Sequence, residues 1–195
     1  MPRKYKNTFD FIAWYANLLS GGEHKMAENV SNANDLKIKR FARAIFKVMD
    51  EKYKPTHVIK IKIDHANMNK ELKQKCAAHP YNVLGWALTA FEKGMVGKKN
   101  WKTEHVPFFW IKVAEKEGKY QHGYAILCNV NSMSDKIQSA IDRAREQLLG
   151  TIEMNMMKIS SVADLGLEPN LIAYVDQNGE AKLRNVIPSK TILGI

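Results

Sequence analysis

The chain has 195 residues, 45% of them apolar, and its thirty lysines and arginines outnumber twenty aspartates and glutamates, for a net charge of +10. That length and apolar content suit one packed domain, and two cysteines, Cys76 and Cys128, exclude a disulfide framework. No run reaches the ~18 uninterrupted apolar residues of a membrane helix, and the N-terminal residues lack the apolar core of a secretory leader, so a cytoplasmic protein with no membrane partner is expected. The positive surplus points to polyanions, with nucleic acid, DNA or RNA, as the expected partner.

Arg3, Lys4 and Lys6 form a small basic arm. Residues 7–19 read as a helix with Phe11, Trp14, Tyr15 and Leu18 on one stripe, and residues 20–34, rich in Gly, Ser and Asn, read as a loop. Residues 35–53 read as the clearest helix: Ile38, Phe41, Ala42, Ile45, Val48 and Met49 mark its apolar side. Arg40, Arg43 and Lys47, spaced i, i+3, i+7, share the other side, as phosphate-contacting candidates or as an ordinary solvated face.

Lys54-Pro55 ends that helix. Residues 57–64 alternate, with Ile59, Ile61 and Ile63 on one side and Lys60 and Lys62 on the other, which is the pattern of a half-buried strand. Helices are expected over 66–78 and 80–95. A basic loop then follows over 97–104, where Lys98, Lys99 and Lys102 surround Trp101, a candidate for stacking on a base. Two strands, 107–114 and 120–130, are joined by a turn over 116–119 containing Gly118. Residues 134–150 read as a helix with Ile137, Ala140, Ile141, Ala144 and Leu148 inward, and 152–159 as an ambiguous strand in which Met154, Met156 and Met157 fill core. Residues 171–176 and 181–187 form a hairpin around Gln177-Asn178-Gly179, the strongest short hairpin signal in the chain.

This order gives an α+β fold: a split β-α-β-β-α-β sheet of ferredoxin-like or RNA-recognition-like (RRM-like) kind, with two N-terminal helices and a C-terminal β-hairpin. Residues 1–53 supply the arm and helices, and residues 54–195 the nucleic-acid-binding core, as one folding unit. One sheet face is expected under helices and the other open or partly covered. Phosphate-cradling loops, dinucleotide fingerprints, paired Cys/His zinc spacings and nucleophile elbows are all missing from the sequence.

The most informative stretch runs from Phe108-Phe109-Trp110-Ile111-Lys112-Val113-Ala114 through Glu115-Lys116-Glu117-Gly118-Lys119 to Tyr120-Gln121-His122-Gly123-Tyr124. Alternation puts His122, Tyr124, Ile126 and Cys128 on one face, while Phe108 and Trp110 read as packing, with base stacking the functional alternative. Over residues 41–130 this arrangement resembles HUH-type rolling-circle replication initiators, nearest to the filamentous-phage replication proteins and their bacterial prophage relatives. Those proteins share a strand, a glutamate, a short turn and a His-x-His strand, after a helix leading into a strand that ends in aspartate. The resemblance implies Mg²⁺ or Mn²⁺ held by His122, Glu115 or Glu117, and Asp64, against a phosphate. It also implies a helical tyrosine that attacks DNA and stays attached through a phosphotyrosine.

This chain departs from that pattern at two places. Tyr124 stands where the second histidine would fall, which removes a neutral nitrogen ligand, and no tyrosine lies in 134–150. Tyr174 falls in an expected strand, Tyr5, Tyr15, Tyr53 and Tyr81 remain as nucleophile candidates on or beside helices, and His122 reads equally as a strand histidine hydrogen-bonded to a turn. The expectation is a nucleic-acid-binding protein of phage or mobile-element type, with or without metal-dependent nicking of single-stranded DNA. The alternative is a basic inhibitor of a host nucleoprotein complex, of anti-CRISPR type, and the third reading is a plain RNA-binding or architectural module.

Overall fold

The computed structural model describes residues 30–64, 68–71, 73–74, 82–114, 120–130, 134–148 and 151–193. The expected helix over 7–19, most of that over 66–78, and the turn over 116–119 lie outside the described residues.

The first helix, α1, spans Val30–Val48 and continues as a π-helical turn, Met49–Tyr53. It starts before the predicted boundary: residues 30–34, read as loop, are helical, because Ser, Asn and Ala are tolerated in a first turn whose stability comes from packing further along. Its buried side carries Phe41, Ile45 and Met49, and Arg40, Arg43 and Lys47 stay exposed. Lys54 adopts the left-handed conformation (φ 49°) and stops the helix directly before Pro55.

Strand β1 (Pro55–Asp64) starts with that proline, at a first-residue position where a missing N–H is tolerated, and a bulge follows between Pro55 and His57. Then come α2 (Asn82–Val96), a 3₁₀ turn (Asn100–Lys102), β2 (Phe108–Ala114), β3 (Tyr120–Cys128), α3 (Ser134–Gln147) and β4 (Ile152–Lys158). After a 3₁₀ turn (Val162–Leu165) the chain forms α4 (Pro169–Ile172), β5 (Ala173–Val175), β6 (Ala181–Leu183), β7 (Val186–Pro188) and α5 (Lys190–Leu193).

The protein is α+β. Five strands form one antiparallel sheet in the order β4-β1-β3-β2-β7, and β5 and β6 form a separate two-stranded sheet. The second predicted hairpin therefore needs correction. Residues 181–187 are two strands, broken at Asn185, whose left-handed backbone (φ 59°) turns the chain out of the small sheet and onto the edge of the large one. Asparagine tolerates that conformation better than most residues, so the break costs little.

Each strand sends alternate side chains to opposite faces. On the first face Ile59, Ile61, Ile63, Phe108, Trp110, Ala125, Leu127, Ile152 and Met154 pack under α2 and α3. The two helices approach so closely that a Cβ on Gly94 would lie 2.9 Å from the Ala140 backbone. The ring of Trp110 lies across β3, and a Cβ on Gly123 would meet it at 2.3 Å. Both positions require glycine for space.

On the second face Val58, Phe109, Ile111, Ile126 and Cys128 pack under α1 and the segment 162–192, with Val162, Ile172, Ala173 and Val186 sealing the far side. Each large side chain buried in this way contributes roughly 1.5–3 kcal/mol. Met157 falls on this second face and is 47% exposed, so of the three methionines read as core, Met154 is buried, Met156 packs against its margin, and Met157 does neither. Among the described residues no helix is long and apolar enough to cross a membrane.

Candidate functional site

The second face is buried at one end of the strands and partly exposed at the other. His122, Tyr124, Ile126 and Cys128 alternate onto it as the sequence predicts, but only Ile126 and Cys128 are buried beneath α1. Toward the other end of the strands Tyr124 still packs against that core. There Lys60 is exposed, while Lys62, His122 and Tyr124 are half-buried.

Strand register brings these four together. Lys60 stands opposite Tyr124 and Lys62 opposite His122 across β1 and β3. On the outer side, β4 places Asn155 beside Lys60 and Glu153 beside Lys62. On the inner side, β2 places the buried Ile111 and Val113 beside Tyr124 and His122. The rings of His122 and Tyr124 meet edge to face, with centroids 6.0 Å apart and planes at 86°. The result is a two-by-two block in which a column of cations borders a column of aromatic rings.

The metal set implied by the resemblance meets this geometry at one residue. His122 lies half-buried on the second face; Glu115 and Glu117 lie outside the described residues, as does the side chain of Asp64. Among the described residues no group of three His, Cys, Asp or Glu side chains could hold a metal ion. Those that are described do not fit a dication either, because Lys60 and Lys62 share the surface with His122 and Tyr124, and two ammonium groups at cross-strand distance oppose a third cation. Tyr124 in place of imidazole adds a phenol that must lose a proton to serve as an anionic ligand.

The nucleophile candidates fare as follows. Tyr5, Tyr15 and Tyr81 lie outside the described residues. Tyr53 closes the π-helical turn with its ring edge-on to Phe109 (5.0 Å), and its hydroxyl is buried with no hydrogen-bond partner among the described residues. Burial, with Cys128 nearby, raises its pKa, so this hydroxyl is held away from both solvent and the ionised form that attack requires. Tyr174 is exposed, on β5 in the small sheet. Cys128 is equally unsuited to nucleophilic work: burial pushes its thiol up to about 12.

Of the basic candidates, Arg40 and Arg43 are exposed on α1 and make no ion pair among the described residues, while Lys47 reaches Glu51 at 3.7 Å, a solvent-exposed pair of little energetic weight. Lys98, Lys99 and Lys102 are exposed around the 3₁₀ turn. Trp101, however, is already engaged. Its indole N–H donates to Glu92 Oε2 (3.2 Å), and the Lys93 ammonium lies 4.3 Å from its ring centroid. The same Glu92 carboxylate pairs with His105 Nδ1 (3.2 Å) and accepts the Val106 N–H (3.3 Å). This cluster fastens the basic loop to α2, and only the position of Glu92 two turns before the loop hints at it in the sequence.

No family model, curated protein or solved structure matches the chain.

Proposed function

We propose that the protein binds nucleic acid through the partly exposed end of the second sheet face, together with the exposed basic stripe of α1. The observation that carries this reading is the register-defined block Lys60–Tyr124 and Lys62–His122: cations for phosphates beside rings for bases, with Lys60 exposed and the other three half-buried. Arg40 and Arg43 belong to the helix that covers the adjoining half of the same face, so the positive surface extends past the sheet. The net charge of +10 supports the same partner.

The order β1, α2, β2, β3, α3, β4, with β4-β1-β3-β2 side by side, supports reading the core as a split β-α-β-β-α-β sheet of the kind that presents one face to nucleic acid. The chain is then a binding protein of phage or mobile-element type that resembles replication initiators in its strand arrangement and has replaced their second metal-ligating imidazole with a phenol. A metal-independent binder agrees better with the two lysines than a metal-dependent nickase does.

The test is the salt dependence of binding. Affinity for a mixed-sequence oligonucleotide is expected to fall with a log–log slope of about −0.7 to −0.9 per phosphate neutralised. Lys60→Glu with Lys62→Glu is expected to weaken binding at least tenfold and to reduce the slope by about two contacts. A slope and affinity unchanged by that pair move the interface off the sheet, and Arg40→Glu with Arg43→Glu then locates it on α1.

A further inference from the structure

The five-stranded sheet ends on two edges of opposite character. We infer that β4, one of these edges, pairs with β4 of a second copy of this chain, so that the sheets of both copies join across a two-fold axis at Met156. The inference stands apart from the nucleic-acid reading and uses none of the residues of the Lys60–His122 block.

The edge at β7 is blunt. That strand has three residues, follows the left-handed Asn185 and ends at Pro188, whose nitrogen has no hydrogen to donate. The edge at β4 is the reverse: seven residues, Ile152–Lys158, without proline or glycine. Among the described residues no strand lies along its outer side. Parity shows which groups that side presents. The Ile159 N–H donates to the Thr56 carbonyl (3.1 Å), so the rungs that exchange hydrogen bonds with β1 are those of Glu153, Asn155 and Met157. The alternate residues turn their N–H and C=O groups outward, and the Arg145 guanidinium accordingly reaches the Met154 carbonyl. Beyond that one contact, the outward groups of Met154, Met156 and Lys158 have no partner among the described residues.

Several features select a second copy as the occupant. An antiparallel strand edge turned about a two-fold axis meets its own complement, donor to acceptor. Pairing about Met156 sets this residue opposite its counterpart and Met154 opposite Lys158. All of these are outward residues, and each such rung exchanges two N–H···O bonds. The side chains agree with that register. Met157, 47% exposed on the second face, comes to lie beside Asn155 of the other copy. On the first face Met156, half-buried at the margin of the core, meets Met156 of the other copy and extends that core across the axis. No like charges face each other: the two Lys158 side chains stand roughly 14 Å apart along the strands, and Glu153 falls opposite Ile159. The opposing force is the net charge of +10 on each copy. One strand pair is a small interface, so the dimer is weak and the salt concentration governs it. Screening therefore strengthens the dimer, the reverse of its effect on a contact with phosphates.

The experiment is sedimentation velocity of the full chain from about 1 μM to about 1 mM, at about 50 mM and about 500 mM NaCl. A monomer–dimer equilibrium that tightens with salt is expected. Met157→Lys alters an exposed side chain and places a further ammonium group of each copy beside the axis. It is expected to weaken the dimer by roughly tenfold or more while leaving the urea midpoint unchanged. Met156→Pro deletes an outward N–H that β1 does not use and is expected to abolish the dimer. Amide exchange at Met156 and Lys158 is expected to be fast in dilute protein and slowed in the dimer. A chain that stays monomeric at the highest protein and salt concentrations overturns the inference. So does a dimer that Met157→Lys leaves as tight as before, or one that salt dissociates, which places the contact on charged surface elsewhere. Slow exchange at these two amides in the monomer also overturns it, because another part of the chain then covers the edge.

Discussion

The two faces of the sheet are built from the same strands and have different fates. On the first, Ile59, Ile61 and Ile63 continue without interruption into Trp110, Leu127 and Met154, and α2 and α3 cover them. On the second, the alternate positions of β1 begin apolar at Val58 and turn to Lys60 and Lys62, while those of β3 pass from Cys128 and Ile126 to Tyr124 and His122. Both strands change character at the same rung. A change on one strand would be a local accident of composition, whereas matched changes on paired strands mark where the apolar core of this face gives way to charged and polar side chains.

The largest expected effect lies on the covered face. Gly123→Ala places a Cβ 2.3 Å from the Trp110 ring and 2.8 Å from the Ile111 carbonyl, so the ring or the strand must move. A loss of about 1–3 kcal/mol is expected from such overpacking, read from the urea midpoint, and a variant as stable as the natural protein would show that Trp110 does not lie across β3.

A smaller, pH-dependent effect comes from His57, fully buried with Nδ1 3.0 Å from the Thr56 hydroxyl, whose oxygen also accepts the Val130 N–H. Burial first, and the charge of Lys158 second, lower its pKa below the ordinary value. The unfolded chain thus takes up this proton more readily than the folded one. Stability is full above pH ~6.5 and declines as the pH falls below it, by at most about 1.4 kcal/mol per pH unit until the folded-state pKa is reached. Thermal unfolding across pH 5–8 should show that decline, and His57→Gln should flatten it in that window; an equally steep decline in the variant would assign it to other groups.

The smallest effect belongs to the exposed position of the block. Of the two lysines, Lys60→Glu is expected to change stability by no more than about 0.5 kcal/mol while weakening binding. A loss of several kcal/mol would mean that this lysine belongs to the scaffold, and it would erase the contrast between the faces.

Much of the fold is legible in the sequence because it depends on local periodicity. The spacing of Phe41, Ile45 and Met49 marks the buried side of α1, the alternation of Ile59, Ile61 and Ile63 marks β1, and Asn178-Gly179 marks the β5–β6 turn. The features that escape it depend on residues far apart. Asn185 reads as part of a strand until β7 is found on the sheet edge, where backbone pairing with β2 outweighs local continuity. Trp101 reads as a free ring in a basic loop until Glu92 and Lys93, nine and eight residues back on α2, are seen to hold it. The candidate site was half legible: alternation aligns His122 with Tyr124, and Lys60 with Lys62, but only register sets the two pairs side by side, and one residue of slip would have sent either pair to the opposite face.

Asp50 in the π-helical turn accepts the Val162 N–H (2.9 Å) and the Ser161 hydroxyl (2.6 Å), groups 112 and 111 residues further along the chain. The core above the first face is assembled from a continuous stretch, Ile59 to Met154, whereas the one beneath the second face closes only when α1 and the segment 162–192 arrive from opposite sides of that stretch. Loop closure of that length is entropically costly before any contact compensates it. The sheet with α2 and α3 can thus condense early, with α1 and the 162–192 segment docking late, and the Asp50 clasp acts as the final fastener.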